Sequence, residues 1–96
     1  MAEIDRIIHA PARLRIMATL IALSPQASVD FKALGKALGL TDGNLGAHLQ
    51  TLEEAGYIKV EKSFVDRKPR THLSATNKGR TRFDDHVAAL RAICGV

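Results

Sequence analysis

Apolar residues recur at three- and four-residue spacing along most of this chain and alternate with polar ones in one stretch only. Ile4, Ile7 and Ile8 keep helical spacing ahead of Pro11, a residue suited to the first turn of a helix. From Ala12 to Leu23, Ile16, Met17, Leu20 and Leu23 form one face, until Ser24-Pro25-Gln26-Ala27-Ser28 breaks the pattern. Asp30 is placed to cap a short helix over Phe31–Leu38, with Leu34, Ala37 and Leu38 inward and Gly39 at its end. Leu40, apolar within what reads as a turn, is expected to plug the core. Thr41 then caps a helix running to about Glu54, with Asp42 at its positive end and Leu45, Leu49 and Leu52 as the inner stripe.

The period changes after Ala55-Gly56. Tyr57 to Val65 has the β-branched and aromatic content of a strand, and Arg70 to Ser74 alternates as its return. Between them Asp66-Arg67-Lys68-Pro69 reads as the turn. Thr76 or Asn77 caps a last helix to about Ile93, in which Phe83, Val87, Leu90 and Cys94 recur at helical spacing. The expected fold is mainly α with a small β-hairpin: four to five helices and a two- or three-stranded wing. Residues 1–96 suffice for one hydrophobic core and no second.

Composition sharpens this reading. With only Phe31, Tyr57, Phe64 and Phe83 as aromatics, the core must rest on Leu, Ile, Val and Ala, which favours helices over a β-sandwich. A net charge of +4 and a pI near 9.6 point to a polyanionic partner. Cys94 is the only cysteine, so neither an internal disulfide nor a thiolate zinc cluster is available. Met1 to His9 carries Glu3, Asp5 and Arg6 and lacks the apolar core of a signal peptide. No apolar run approaches the roughly 20 residues that span a bilayer. A cytoplasmic protein with no membrane partner is the expectation.

Two short helices joined by a Gly-containing turn form a helix-turn-helix, whose second helix can project into a DNA major groove. Opposite the leucine stripe lie Gly43, Ala47, Gln50, Thr51 and Glu54, with Asn44 and His48 on one flank. Glycine in a helix interior costs about 1 kcal/mol relative to alanine. Gly43 and Gly46 therefore either let the backbone approach DNA closely or relieve crowding against the wing and the first helices. Asn44 offers a donor and an acceptor to adenine, and Thr51 and Gln50 reach a phosphate or base edge, unless this is an ordinary solvated face. His48 either donates to phosphate or packs under the wing. Lys59, Lys62, Arg67, Lys68 and Arg70 gather in and around the hairpin tip, a pattern suited to the DNA backbone or the minor groove. Arg13, Lys32 and Lys36 are weaker phosphate candidates.

Leu34 to Tyr57, read as LGKALGLTDGNLGAHLQTLEEAGY, resembles the winged helix DNA-binding transcriptional regulators close to the MarR and ArsR groups. The most specific part is Leu40-Thr41-Asp42-Gly43-Asn44-Leu45 with His48-Leu49 and Leu52-Glu53-Glu54-Ala55-Gly56-Tyr57. Arg70 to Arg80 looks like the family's second wing strand entering its last helix, and His9 to Ile16 is similar to its opening helix. The resemblance implies a homodimeric regulator, acting by repression, that binds double-stranded DNA. Its recognition helix would span Asp42 to Glu54 and its wing Lys62 to Arg70. It implies DNA-binding roles for Thr41, Gly43, Asn44, Ala47, His48, Thr51, Arg67, Lys68 and Arg70. Gly46 departs from the pattern, which usually has a polar residue there. A small-molecule effector stays open, and no cofactor is implied.

Asp84, Asp85 and His86 are adjacent, so their side chains diverge by about 100° each on a helix and read as a solvated surface with one histidine. That disfavours a metal site, and no nucleophile–base pair or phosphate loop suggests an enzyme. Phe83, Val87, Leu90 and Cys94, with Ile4, Ile7 and Ile8, suit a dimer seam formed by the terminal helices, about 3–9 and 77–93. Two other classes remain: a winged-helix module that binds protein only, and a metal- or redox-responsive regulator of the ArsR kind.

Overall fold

A computed structural model describes residues 3–96; the first two residues of the expected 1–96 domain lie outside the described residues. Five helices and a three-stranded antiparallel sheet follow one another: α1 (Arg6–His9), α2 (Pro11–Ile21), β1 (Val29–Asp30), α3 (Phe31–Leu38), α4 (Asp42–Glu54), β2 (Ile58–Val65), β3 (Lys68–Ala75) and α5 (Asn77–Cys94). The sheet order is β1-β3-β2, so β3 is central only where β1 reaches it, at Leu73 and His72. β1 is the element that alternation did not show, because two residues are too few to alternate.

Most helix ends follow their capping chemistry. Asp30 accepts from the Ala33 amide at 3.1 Å, Thr41 from Asn44 at 3.2 Å and Thr76 from Gly79 at 2.9 Å. Gly39 ends α3 with φ +67°, the left-handed conformation that glycine adopts without steric cost. Pro11 opens α2 as expected. The first helix is shorter than the expected 3–9, because Asp5 turns its carboxylate onto the amides of Ile7 and Ile8 and starts the helix at Arg6.

Ile8, Ile16, Met17, Leu20, Leu34, Leu45, Leu49, Leu52, Tyr57, Ile58 and Leu73 make one continuous core, with Leu40 packed against it from the turn. Ile8 is fully buried there. It is thus spent on the domain's own core and is unavailable to the dimer seam assigned to it.

His86 also corrects the sequence reading: it is 0% exposed, not a surface residue. Its Nδ1 accepts the Asp5 backbone N–H at 2.9 Å, and its Nε2 lies 3.4 Å from Nδ1 of His9. The Asp5 carboxylate accepts the Tyr57 hydroxyl at 2.5 Å. One network thus ties the N-terminal segment to the end of α4 and to α5. An Nδ1 that accepts a backbone proton belongs to a neutral imidazole. Burial first, then His9, lowers the His86 pKa below its ordinary value, against an opposing pull from Asp5. Burial raises the Asp5 carboxyl, but the Tyr57 hydroxyl, the Ile8 and Ile7 amides and His86 outweigh it and leave the group below its ordinary range. Burial and the bond to Asp5 push the Tyr57 phenol up to about 12.

The tightest approach lies where α5 begins. A Cβ on Gly79 would stand 2.1 Å from the Tyr57 carbonyl oxygen, and that carbonyl already accepts the Thr76 amide at 3.0 Å. Backbone on both sides leaves nothing to yield, so Gly79→Ala should lower stability by about 3 kcal/mol in urea denaturation. Gly46→Ala, where a Cβ meets nothing within 4 Å, should raise it by about 1 kcal/mol. Equal effects from the two would refute the steric account.

The His86 network gives a pH dependence of known sign. The unfolded chain binds a proton at His86 below the ordinary histidine pKa of 6.5, where the folded chain still resists it, so stability falls as pH drops below 6.5. Asp5 adds its own loss only below its unfolded value of 3.8. The urea midpoint should therefore fall from pH 7.5 to pH 5.5, and His86→Gln, which stays neutral, should flatten that fall. An equal fall in the variant would assign the effect to other groups.

Candidate nucleic-acid interface

With Leu45, Leu49 and Leu52 buried, the rotation of α4 is set, and Gly43, Asn44, Ala47, Gln50 and Glu54 emerge on the solvent side. Thr41, at the cap, is exposed as well. His48 and Thr51 are half-buried. Thr51 donates to the Ala47 carbonyl one turn back at 3.3 Å, and Gln50 donates to Glu54 at 3.1 Å. Nδ1 of His48 lies 3.4 Å from the Arg13 guanidinium, so this side chain leans on α2 and not under the wing. Gly43 and Gly46 relieve no crowding, because open space surrounds both Cβ positions.

The wing is the hairpin β2–β3. Val65 pairs with Lys68, so the loop is the two residues Asp66 and Arg67, and Lys68 and Pro69 belong to the strand and not to the turn. Both loop residues have positive φ, 52° and 66°, as a type I′ turn requires. Asp66 tolerates this; an arginine does so at a cost of about 1–2 kcal/mol. The closing pair is hydrogen-bonded, so the next pair, Phe64 and Pro69, is not, and Pro69 breaks no bond to β2 by lacking an N–H.

Alternation sorts the wing's cations. Lys62 shares the sheet face of Val60, Thr71 and Leu73, which with Gly46, Leu49, Gln50 and Glu53 of α4 encloses an open groove of about 570 Å³. Lys68 and Arg70 lie on the opposite face, and Arg67 sits at the tip. Every residue from 61 to 70 is exposed. Among the described residues, Lys62, Arg67, Lys68 and Arg70 have no ion-pair or hydrogen-bond partner.

Other basic residues are committed to the fold. Arg13 donates to the Ile7 carbonyl at 2.6 Å, Arg15 to Leu38 at 3.1 Å, and Arg80 to Ile21 and Leu23 at 3.3 and 3.4 Å. Lys32 pairs with Asp42, and Lys59 with Glu61 at 3.1 Å. Arg13 and Lys32 are therefore partly spent as phosphate ligands, whereas Lys36 stays exposed. The sequence could not separate these groups, because a cation that caps a carbonyl looks the same in one dimension as a free one.

The arrangement is a slim helix face beside a cationic hairpin. A family model described as a winged helix DNA-binding domain matches residues 12–94. The chain belongs to that family. It is similar to an uncharacterized protein of Methanocaldococcus jannaschii, 37% identical over 82 residues that cover 85% of this chain and 86% of that one. It also matches the structure of a transcriptional regulator homologue from Pyrococcus horikoshii, with TM-score 0.84, 34% identity, and coverage of 95% of this chain and 87% of the other. FabT of Streptococcus pneumoniae, solved in complex with DNA, matches with TM-score 0.60 and 26% identity over 93% of this chain and 64% of its own. MarR-family regulators are among the structural neighbours, as the sequence resemblance implied.

Within this winged helix fold, no group of three or more His, Cys, Asp or Glu side chains able to hold a metal comes together among the described residues. Among the described residues, no helix is long and apolar enough to cross a membrane. The left-handed Arg67 makes its own prediction: Arg67→Gly should raise stability by about 0.5–1 kcal/mol, the relief of strain less glycine's extra chain entropy. That corresponds to a thermal midpoint higher by several degrees. An unchanged or lower midpoint would show that the arginine is held there without strain.

Proposed function

We propose that this winged helix protein is a sequence-specific transcriptional regulator that binds duplex DNA as a homodimer and represses by occupying its site. The observation that carries the reading is the pairing, on one molecule, of a solvent-exposed α4 face with four wing cations that have no side-chain partner among the described residues. α4 enters the major groove, where Asn44 reads a base edge and Gly43 and Ala47 let the backbone come close. Thr41, His48 and Thr51 contact phosphate or sugar at the margins of that face. Arg67, Lys68 and Arg70 hold the backbone or enter the minor groove. The DNA complex of a structural neighbour supports the same partner for this chain. Such a protein works in the cytoplasm, with access to the DNA it binds.

The dimer is built from the terminal helices. Ile4, Ile7, Phe83, Val87 and Leu90 are only half-buried within one chain, and Cys94 is exposed. Ile93, 67% exposed near the end of α5, joins that seam. A two-fold axis along α5 sets two recognition helices about one helical turn of DNA apart.

If about six to ten phosphates are neutralised, affinity for duplex should fall roughly 10³–10⁵-fold between 50 and 200 mM salt. Replacing Arg67 and Arg70 together by Ala should weaken binding to every sequence and flatten the logarithmic salt slope by about 2. Asn44→Ala should instead relax preference at one base position, read by selecting sites from a random duplex pool. A slope that stays put in the double variant would remove the wing from the interface. No binding by the wild type at low salt, with a protein partner co-purifying, would replace the reading by a protein-interaction module.

A further inference from the structure

Phe64 is 78% exposed and its neighbour Val65 49%, at the tip of a hairpin otherwise made of polar and charged residues. The turn does not need them: a type I′ loop is specified by its two central residues, and the pairing runs on to Val65 and Lys68 whatever side chains these carry. Phe64 lies opposite Pro69 in register, so the two form an apolar pad on the sheet face that also bears Lys62 and Thr71, the face turned toward α4. Lys62 shares the pad's face, Arg67 stands at the tip, and Lys68 and Arg70 project from the opposite face of the same hairpin end, with Asp66 the one acid in the loop and Glu61 already tied to Lys59. A second copy would set one cation cluster against another, so self-association through this tip is disfavoured. A polyanion with an apolar interior fits it, and base-paired DNA is such a polymer.

We propose that Phe64 is a wedge that enters the minor groove beside the recognition site and partly unstacks one base step, with Pro69 flanking it on the same sheet face. The proposal rests on the DNA-binding reading above and adds a specificity to it. The arginine and lysine side chains hold the phosphates on either side, and the ring leans between bases where water would otherwise face an aromatic edge. Pyrimidine–purine steps, TA and CA/TG, yield most readily to such a wedge, so the wing prefers them at the flank while touching no base edge by hydrogen bond.

The test uses the full chain and duplexes selected from a random pool by the wild type, with 2-aminopurine placed at successive flank positions. Phe64→Ala, at an exposed site, should keep its fold by circular dichroism. It should lose about tenfold to a hundredfold in affinity with the salt slope unchanged, because a phenyl ring neutralises no phosphate. The fluorescence rise that marks unstacking at one flank step should vanish in Phe64→Ala and persist in Phe64→Leu. A pool selected with Phe64→Ala should lose its TA or CA/TG preference at that step and keep the central bases. If Phe64→Ala binds and unstacks as the wild type does, the wedge is overturned while the DNA reading stands. If Phe64→Ala instead changes only the monomer–dimer balance, the ring belongs to a protein contact and the wedge fails. If the wild type retains no duplex, the parent reading falls and this inference falls with it.

Discussion

Burial of Leu45, Leu49 and Leu52 is the constraint on which the rest of the molecule turns. These three positions repeat at four and three residues, so they define one side of α4, and each is at most 4% exposed. Rotating the helix by even one residue, about 100°, would expose leucine and bury Asn44 or Gln50 without partners, a loss of several kcal/mol on either count. The core therefore fixes which surface α4 shows to solvent. No residue of that surface needs to hold itself in place.

The wing obeys a different economy. It contributes little to the core beyond Ile58, Val60 and Leu73 at its base, and its outer half is exposed on both faces. A two-stranded ribbon of this sort is marginal by itself in water. Here its base is held by β1 on one side of β3 and by the tight crossing of Gly79 over Tyr57 on the other. The tip is then free to carry residues that do not suit a turn: an arginine at positive φ and an exposed phenylalanine. Strain and exposed apolar area at one spot cost stability, and a wing held at its base can bear both.

Much of this was legible before any coordinates. Leucine periodicity gave α4 its face, and side-chain oxygens before helices gave three N-caps, because both signals are local. The failures share a cause as well. His86 looked like surface beside Asp84 and Asp85, yet it lies three residues after Phe83 and four before Leu90, on the inner stripe of α5. Its burial depends on Asp5, eighty-one positions away, supplying an amide to Nδ1. Ile8 was assigned to a partner because its helix was read alone, without α2 and α4 against which it packs. The hairpin turn was drawn too wide because Pro69 suggests a loop; only the register reveals that its missing N–H faces away from β2. Non-local contacts decided each case; spacing aligns His86 with Phe83 and Leu90 but does not reveal the partner that lets it be buried.

The same division explains how a net charge of only +4 can serve a polyanionic partner. Arginines 13, 15 and 80 fasten helix ends by binding carbonyls, and Lys32 and Lys59 are matched by carboxylates. The two ion pairs cancel charge locally, whereas the three arginines keep their charge and spend their donors on carbonyls. The wing carries Lys62, Arg67, Lys68 and Arg70 against Asp66 alone within residues 62–70, while α4 has no lysine or arginine. On the proposed reading, charge that attracts any duplex and surface that discriminates among duplexes sit on separate elements. A substitution in one leaves the other's task intact, because the leucines that orient α4 and the register that orients the wing share only the base of the sheet.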